Sequence, residues 1–334
     1  MGSNLVNTRK AVKTLTTYLK LTILIDCDVL VYGKNRSAYE LRKWRLYQRC
    51  YLIVTFLHTS WFGACGIITD EETLNLLADY IRFFGLGDKR WYINFVAVVV
   101  ASVGWTMAAF SMYLESTKSG QKLLHRVTFP LRVLNGDLKF ADIGISRVEL
   151  DQYRRHFCLT MKLLNTGLRT IVIAFMLYLP LIYYVYLDIR SYWLSALLIG
   201  PNALIWFTGL MTSLGSIVTL FYMTNNLLGM KIRRHLMCIN EPVLHVMMVN
   251  VKHVQIIHEL NRFWRLFLLM AHIVFIPCIS IMFYSGFISP LADPFIRFII
   301  IVVTVEFISL LTFVCLSASN IHKLVSIVIF FVLI

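Results

Sequence analysis

The chain has 334 residues, of which 58% are apolar and only 15% charged, against about 25% charged in an average soluble domain. Too little charge is present to cover a water-soluble globule of this length, and the same numbers exclude a disordered chain, a collagen and a disulfide scaffold. The net charge of +14 therefore concerns how basic residues sit around membrane spans, and no nucleic-acid partner is expected.

In chain order, residues 1–49 carry short apolar pieces interrupted by Lys13, Lys20, Asp26 and Asp28. No signal peptide is expected ahead of the first span. Six stretches are then long enough to cross a ~30 Å hydrocarbon core: 50–68, 91–114, 170–187, 192–224, 266–288 and 295–316. Within them the ionisable residues are His58, His272, Arg297 and Glu306. The fourth run has 33 residues and exceeds one bilayer at the helical rise of about 1.5 Å per residue.

Charge decides between one span and two for that run. Residues 1–49, 115–169 and 225–265 hold ten, ten and six of the 32 Lys and Arg residues. Taking the run as one span puts all three segments on one side, which the positive-inside rule makes cytoplasmic. Two spans would place Lys231, Arg233 and Arg234 outside, so one span is expected, continuing inward as a helix over 220–228. Aromatic residues such as Trp61, Tyr184 and Trp193 near the outer ends, and Trp44, Tyr47 and Trp264 near the inner ends, fit interfacial belts. The sequon Asn35-Arg36-Ser37 falls inside and is expected to stay unmodified.

The inner segments are amphipathic. Leu123, Leu124 and Val127 alternate with Lys122, His125 and Arg126. Leu150, Tyr153, Phe157, Met161 and Leu164 recur at helical spacing, as do Leu244, Met247, Val251, Val254, Ile257 and Leu260. The expected fold is an all-α membrane protein: a cytoplasmic segment 1–49, a six-helix transmembrane domain 50–316 with cytoplasmic helical loops 115–169 and 225–265, and a C-terminal segment 317–334. The cytoplasmic helices either pack together and against neighbouring subunits or lie flat on anionic lipid.

No enzyme chemistry is legible. The seven cysteines are scattered without CxxC spacing and read as lone packed thiols. GxSxG, Walker and GxGxxG motifs are missing, and His258-Glu259-Leu260-Asn261-Arg262 lacks the second histidine of a zinc helix. His235, His245, His253 and His258 lack the three- or four-residue spacing that puts ligands on one helix face. No cofactor, metal or catalytic residue is expected.

Glu306 is the most informative polar residue. It lies at the middle of the sixth span, where a carboxylate costs at least ~2.5 kcal/mol unless shielded. Two readings stand, a protonated hydrogen-bonded packing residue or an ion or proton relay, with His272 at similar depth as a candidate partner. Arg297 lies nearer the outer surface and is expected to snorkel.

A G-protein-coupled receptor would have its N-terminus outside, and the chain shows neither an Asp-Arg-Tyr-type triplet at an inner helix end nor Asn-Pro-x-x-Tyr. The stretch 252–287, KHVQIIHELNRFWRLFLLMAHIVFIPCISIMFYSGF, resembles instead the fifth-helix region of arthropod gustatory and odorant receptors. In that family a Leu-Asn-x-x-Phe run leads into an apolar helix with a mid-span phenylalanine; here Leu260 and Asn261 are followed by Phe263, one residue short of that spacing, and Phe275 lies further on. LFYMTNNLLGMKIRRHL at 220–236 looks like the end of the family's long fourth helix, and FVCLSASNIHKL at 313–324 like the end of its sixth. The short outer loop between spans three and four looks more gustatory than odorant. The resemblance covers the layout from about residue 40 to 324.

One departure is serious. The family's seventh helix, which lines the ion pore, carries Thr-Tyr, five apolar residues and Gln-Phe, and no such motif occurs here. The 11-residue apolar tail 324–334 is too short to span, so the sequence reads as a chain without its pore helix, either incomplete or altered at its end.

The resemblance implies a plasma-membrane chemosensory receptor, gustatory in type, with its N-terminus cytoplasmic. It would be a subunit of a ligand-gated cation channel, a homo- or hetero-tetramer with related subunits that detects a small-molecule tastant or odorant. The outer-half residues expected to contact ligand are Tyr92, Phe95, Tyr178, Tyr183, Trp206, Tyr284 and Phe298, a mostly apolar set with a few polar anchors. The alternatives are a secondary transporter using Glu306 as an intramembrane relay, or a G-protein-coupled-type receptor if the orientation is reversed.

Overall fold

The computed structural model describes residues 2–22, 27, 31–33, 37–68, 70, 72–73, 117–136, 138, 145–185, 189–237, 255, 258–259, 264–265, 268–269, 272–273, 276–288 and 294–333, some of them by backbone alone. Among these residues the fold is all-helical, with no strand. Its long elements are α1 (Gly2–Thr22), α2 (Ala38–Ile67), α3 (Lys118–Val127), α4 (Phe129–Asn135), α5 (Arg147–Val185), α6 (Ile189–Met237), α7 (Ile276–Ile288) and α8 (Pro294–Leu333). Two segments, Arg147–Ala174 and Arg297–Ser319, are long and apolar enough to cross a membrane. Of the six expected spans, 91–114 lies outside the described residues and 266–288 is described in part.

Local chemistry sets the helix boundaries. Ser37 caps α2 through a reciprocal pair: its Oγ accepts from the Glu40 amide at 3.2 Å, and Glu40 Oε2 accepts from the Ser37 amide at 3.0 Å. Ser146 and Glu149 exchange the same two bonds at the start of α5. Thr117 caps α3 by accepting from the Gly120 amide at 3.0 Å. Gly136 ends α4 with φ +85°, a left-handed value that glycine adopts without strain, and Leu5 packs directly against it.

α6 is the central column. All eleven residues from Met211 to Phe221 are buried, so this stretch has no solvent face, the signature of a helix surrounded by others. α1, α2, α4, α5 and α8 all pack on it. The apolar run beginning at 192 is thus part of one unbroken 49-residue helix, which at about 1.5 Å per residue is roughly 74 Å long. Pro201 lies inside it and supplies no amide hydrogen, which removes one rung of the helix ladder.

At one end of the column a basal cluster forms. It joins Val12, Leu15 and Leu19 of α1, Leu124 and Val127 of α3, Leu131 and Leu134 of α4, the Leu150-Tyr153-Phe157-Met161 stripe of α5, and Phe221, Leu227 and Ile232 of α6. The fully buried Tyr153 hydroxyl donates to the Met223 carbonyl at 2.9 Å. Trp264 packs edge-on against Phe221 with 5.0 Å between ring centroids. α1 is anchored by long-range bonds: Arg9 Nε donates to the Asn135 carbonyl at 3.0 Å, and the Tyr18 hydroxyl donates to Asn165 Oδ1 at 2.9 Å.

Two sequence expectations change in detail. Residues 2–22, read as interrupted apolar pieces, are a continuous amphipathic helix with one buried face. The tail after Leu316 is the continuation of α8, which runs unbroken to Leu333.

Candidate functional site

A cavity of about 300 Å³ opens between α5, α6 and α8. Each helix gives it one face at three- and four-residue spacing. From α5 come Thr160, Leu163, Leu164, Gly167, Leu168 and Ile171. α6 supplies Met211, Gly215, Val218 and Thr219, and α8 supplies Glu306, Ser309, Leu310 and Phe313. Val218 also belongs to the basal cluster, so the cavity sits directly on that cluster.

Two glycines shape the site. A Cβ at Gly215 would collide with Leu164 Cδ1, so the bare backbone of α6 is what lets α5 approach it. At Gly167 the nearest atoms to a Cβ would be those of the Glu306 carboxylate, with Oε2 at 3.6 Å, an ordinary contact distance. The carboxylate therefore lies against an exposed patch of α5 backbone, at the wall of an otherwise apolar space.

The polar groups of the cavity share a property. Thr160 Oγ1 donates to the His156 carbonyl at 2.9 Å, Thr219 Oγ1 to the Gly215 carbonyl at 2.8 Å, and Ser309 Oγ to the Val305 carbonyl at 2.8 Å. Each hydroxyl proton is directed into its own helix, which leaves only lone pairs for the cavity. Among the described residues no hydrogen bond or ion pair reaches the Glu306 carboxylate, and no Lys, Arg or His is among the cavity-lining residues.

The expected partner of Glu306 is placed differently. His272 Nδ1 donates to the Leu268 carbonyl one turn earlier in its own chain segment, at 2.7 Å. A second polar contact within apolar surroundings joins the buried His58 of α2 to Asn202 of α6, with the amide nitrogen 3.3 Å from Nδ1. It follows immediately on Pro201.

None of the seven expected ligand residues lines this cavity among the residues described. Tyr92 and Phe95 lie outside the described residues. Tyr178, Tyr183 and Trp206 lie on α5 and α6, where the backbone alone is described. Tyr284 is half-buried in the π-turn Tyr284–Ile288 that ends α7, and Phe298 is 61% exposed on α8. Sequence reasoning found Glu306 but missed Gly167 and Gly215. The signal available was a glycine inside each of two strongly helical apolar stretches, a position that costs about 1 kcal/mol against alanine and calls for a packing reason.

Outside the cavity, Arg126 of α3 pairs with Glu259. Lys231 lies over the Phe129 ring at 4.6 Å, and burial pushes its ammonium below the ordinary lysine range. Among the described residues no disulfide joins the cysteines, and no group of three His, Cys, Asp or Glu side chains could hold a metal.

Comparison with known proteins adds no relative: no family model, no curated protein and no solved structure matches the chain.

Proposed function

We propose that the chain is a multi-pass membrane receptor for small molecules, of the gustatory and odorant kind its sequence resembles. On this reading it is a subunit of a tetrameric ligand-gated cation channel in the plasma membrane, with its N-terminus cytoplasmic. The observation that carries it is the cavity between α5, α6 and α8: about 300 Å³, apolar, with a single carboxylate. That is the size and lining expected of a small-molecule site. Two of its three walls belong to the segments long and apolar enough to cross a membrane. A ligand that fits one packing of these helices better than another would shift their equilibrium, which is what gating requires.

The test is whole-cell recording from cells that display the chain at the surface, alone and with related subunits, against a broad panel of small molecules, amines included. A ligand-evoked cation current is expected. Surface-displayed protein that passes no current in either setting refutes the receptor-channel reading.

The Glu306 carboxylate, which no hydrogen bond or ion pair reaches among the described residues, favours a second reading, a secondary transporter in which it relays an ion or proton. Labelled-solute flux abolished by Glu306→Gln would select that reading. Glycan attachment at Asn35 would reverse the orientation and return a G-protein-coupled-type receptor to consideration.

A further inference from the structure

We infer that the cavity beside Glu306 is a site for a small amphiphilic amine, bound as its ammonium with the apolar body along α5 and α8. This deepens the receptor reading and rests on it, since it names the ligand class of the same cavity. The balance of donors and acceptors in the cavity selects this class. Thr160, Thr219 and Ser309 have already committed their hydroxyl protons to the backbone of their own helices. Everything polar that the cavity presents is therefore an acceptor, and one acceptor is a carboxylate. An occupant that matches this set brings donors and positive charge, and an ammonium has three donors and no acceptor.

The remaining lining decides between an ammonium and a bare metal ion. A hard cation such as Ca²⁺ requires about six to eight oxygen ligands. Here a single carboxylate and three hydroxyl oxygens are spread over three helices, amid Leu, Ile, Val, Met and Phe side chains. An inorganic ion would be poorly coordinated. An alkylammonium places its charge on Glu306 and covers the apolar walls with its chain. Gly167 keeps the approach open, because a bulkier residue there would stand against the carboxylate.

The experiment uses the full chain in nanodiscs and three probes of equal chain length: n-nonylamine, nonanol and nonanoate. Binding is read by calorimetric titration and by the shift in melting temperature. The amine is expected to bind at least tenfold more tightly than the alcohol, and the carboxylate not at all. Gly167→Leu, which fills the cavity, should remove the specific component for every probe and so corrects for partition into lipid. Glu306→Gln should bring the amine down to the alcohol's affinity, and Glu306→Asp should retain amine preference, which separates loss of charge from misfolding.

Equal binding of all three probes, lost in Gly167→Leu, overturns the ammonium inference and leaves a receptor cavity for neutral apolar molecules. Tighter binding of the alcohol than the amine overturns it too, and assigns Glu306 as a protonated donor. Wild type indistinguishable from Gly167→Leu with every probe shows that the cavity is not a site, and the observation behind the receptor reading falls with it.

Discussion

The basal cluster and the cavity above it are built from the same helices and pack by different rules. At the base, α1, α3, α4 and the first turns of α5 interlock around α6, and large side chains such as Phe157 and Leu131 are completely buried. Charged residues there lie outside: Lys122, His125 and Arg126 of α3 are exposed, while Leu124 and Val127 are buried. Higher on α5 and α8 the pattern inverts. Ile173, Met176, Phe298 and Val305 are exposed, and the one carboxylate faces inward to the cavity. The base is a tightly packed core with charge on the outer face of α3, whereas the upper part turns apolar side chains outward as a lipid-facing surface does. The comparison teaches where each kind of perturbation will be felt.

The largest expected effect is at the base. Phe157→Ala leaves a cavity in a fully packed cluster and should cost about 3–5 kcal/mol, seen as a large fall in the melting temperature of the purified chain. Leu310→Ala, at the rim of an existing cavity, should cost much less. Equal losses would break the distinction between the two regions.

A smaller contrast separates the two glycines. Gly215→Ala forces Leu164 aside and should cost about 1–3 kcal/mol, as overpacking does. Gly167→Ala meets its neighbour at an ordinary contact distance and should fold about as well as the parent. Thermal melts of the two variants, side by side, test whether the cavity is open where α5 faces Glu306.

The smallest effect concerns Lys231. Folding depresses its pKa through burial, so the unfolded chain holds that proton to higher pH. The penalty for burying the charge is present at neutral pH and is relieved as pH rises through the folded value, so this residue makes stability increase toward alkaline pH. Lys231→Met should flatten that part of the stability-against-pH curve. An unchanged slope would show that the Phe129 ring offsets the burial fully.

How much of this was legible in the sequence depends on what each pattern reports. The Leu150-to-Leu164 stripe is a one-dimensional signal of a buried face, and its first four residues are buried as read. The continuity of α6 followed from charge placement, because splitting the run would have misplaced Lys231, Arg233 and Arg234. α1 was missed because Lys13 and Lys20 were read as interruptions of an apolar run. Lys13 lies on the exposed side of a helix whose other side, Thr8, Val12, Leu15, Thr16 and Leu19, is buried, and the half-buried Lys20 lies over the Trp44 ring at 5.6 Å. Average apolarity detects spans and is blind to such a face. Glu306 announced itself by its cost in an apolar segment, but its neighbour could not be read. Gly167 and Glu306 are far apart in the chain, and only the crossing of α5 and α8 brings them together.

The anchoring of α1 carries a consequence for the order of assembly. Tyr18 waits for Asn165, 147 residues downstream, and Arg9 for the Asn135 carbonyl, 126 residues downstream. At synthesis rates of roughly 5–20 residues per second, α1 spends on the order of 6–30 s with its apolar face uncovered before these partners are made. During that interval it needs a temporary cover, so a helix made before its partners settles only after they have emerged.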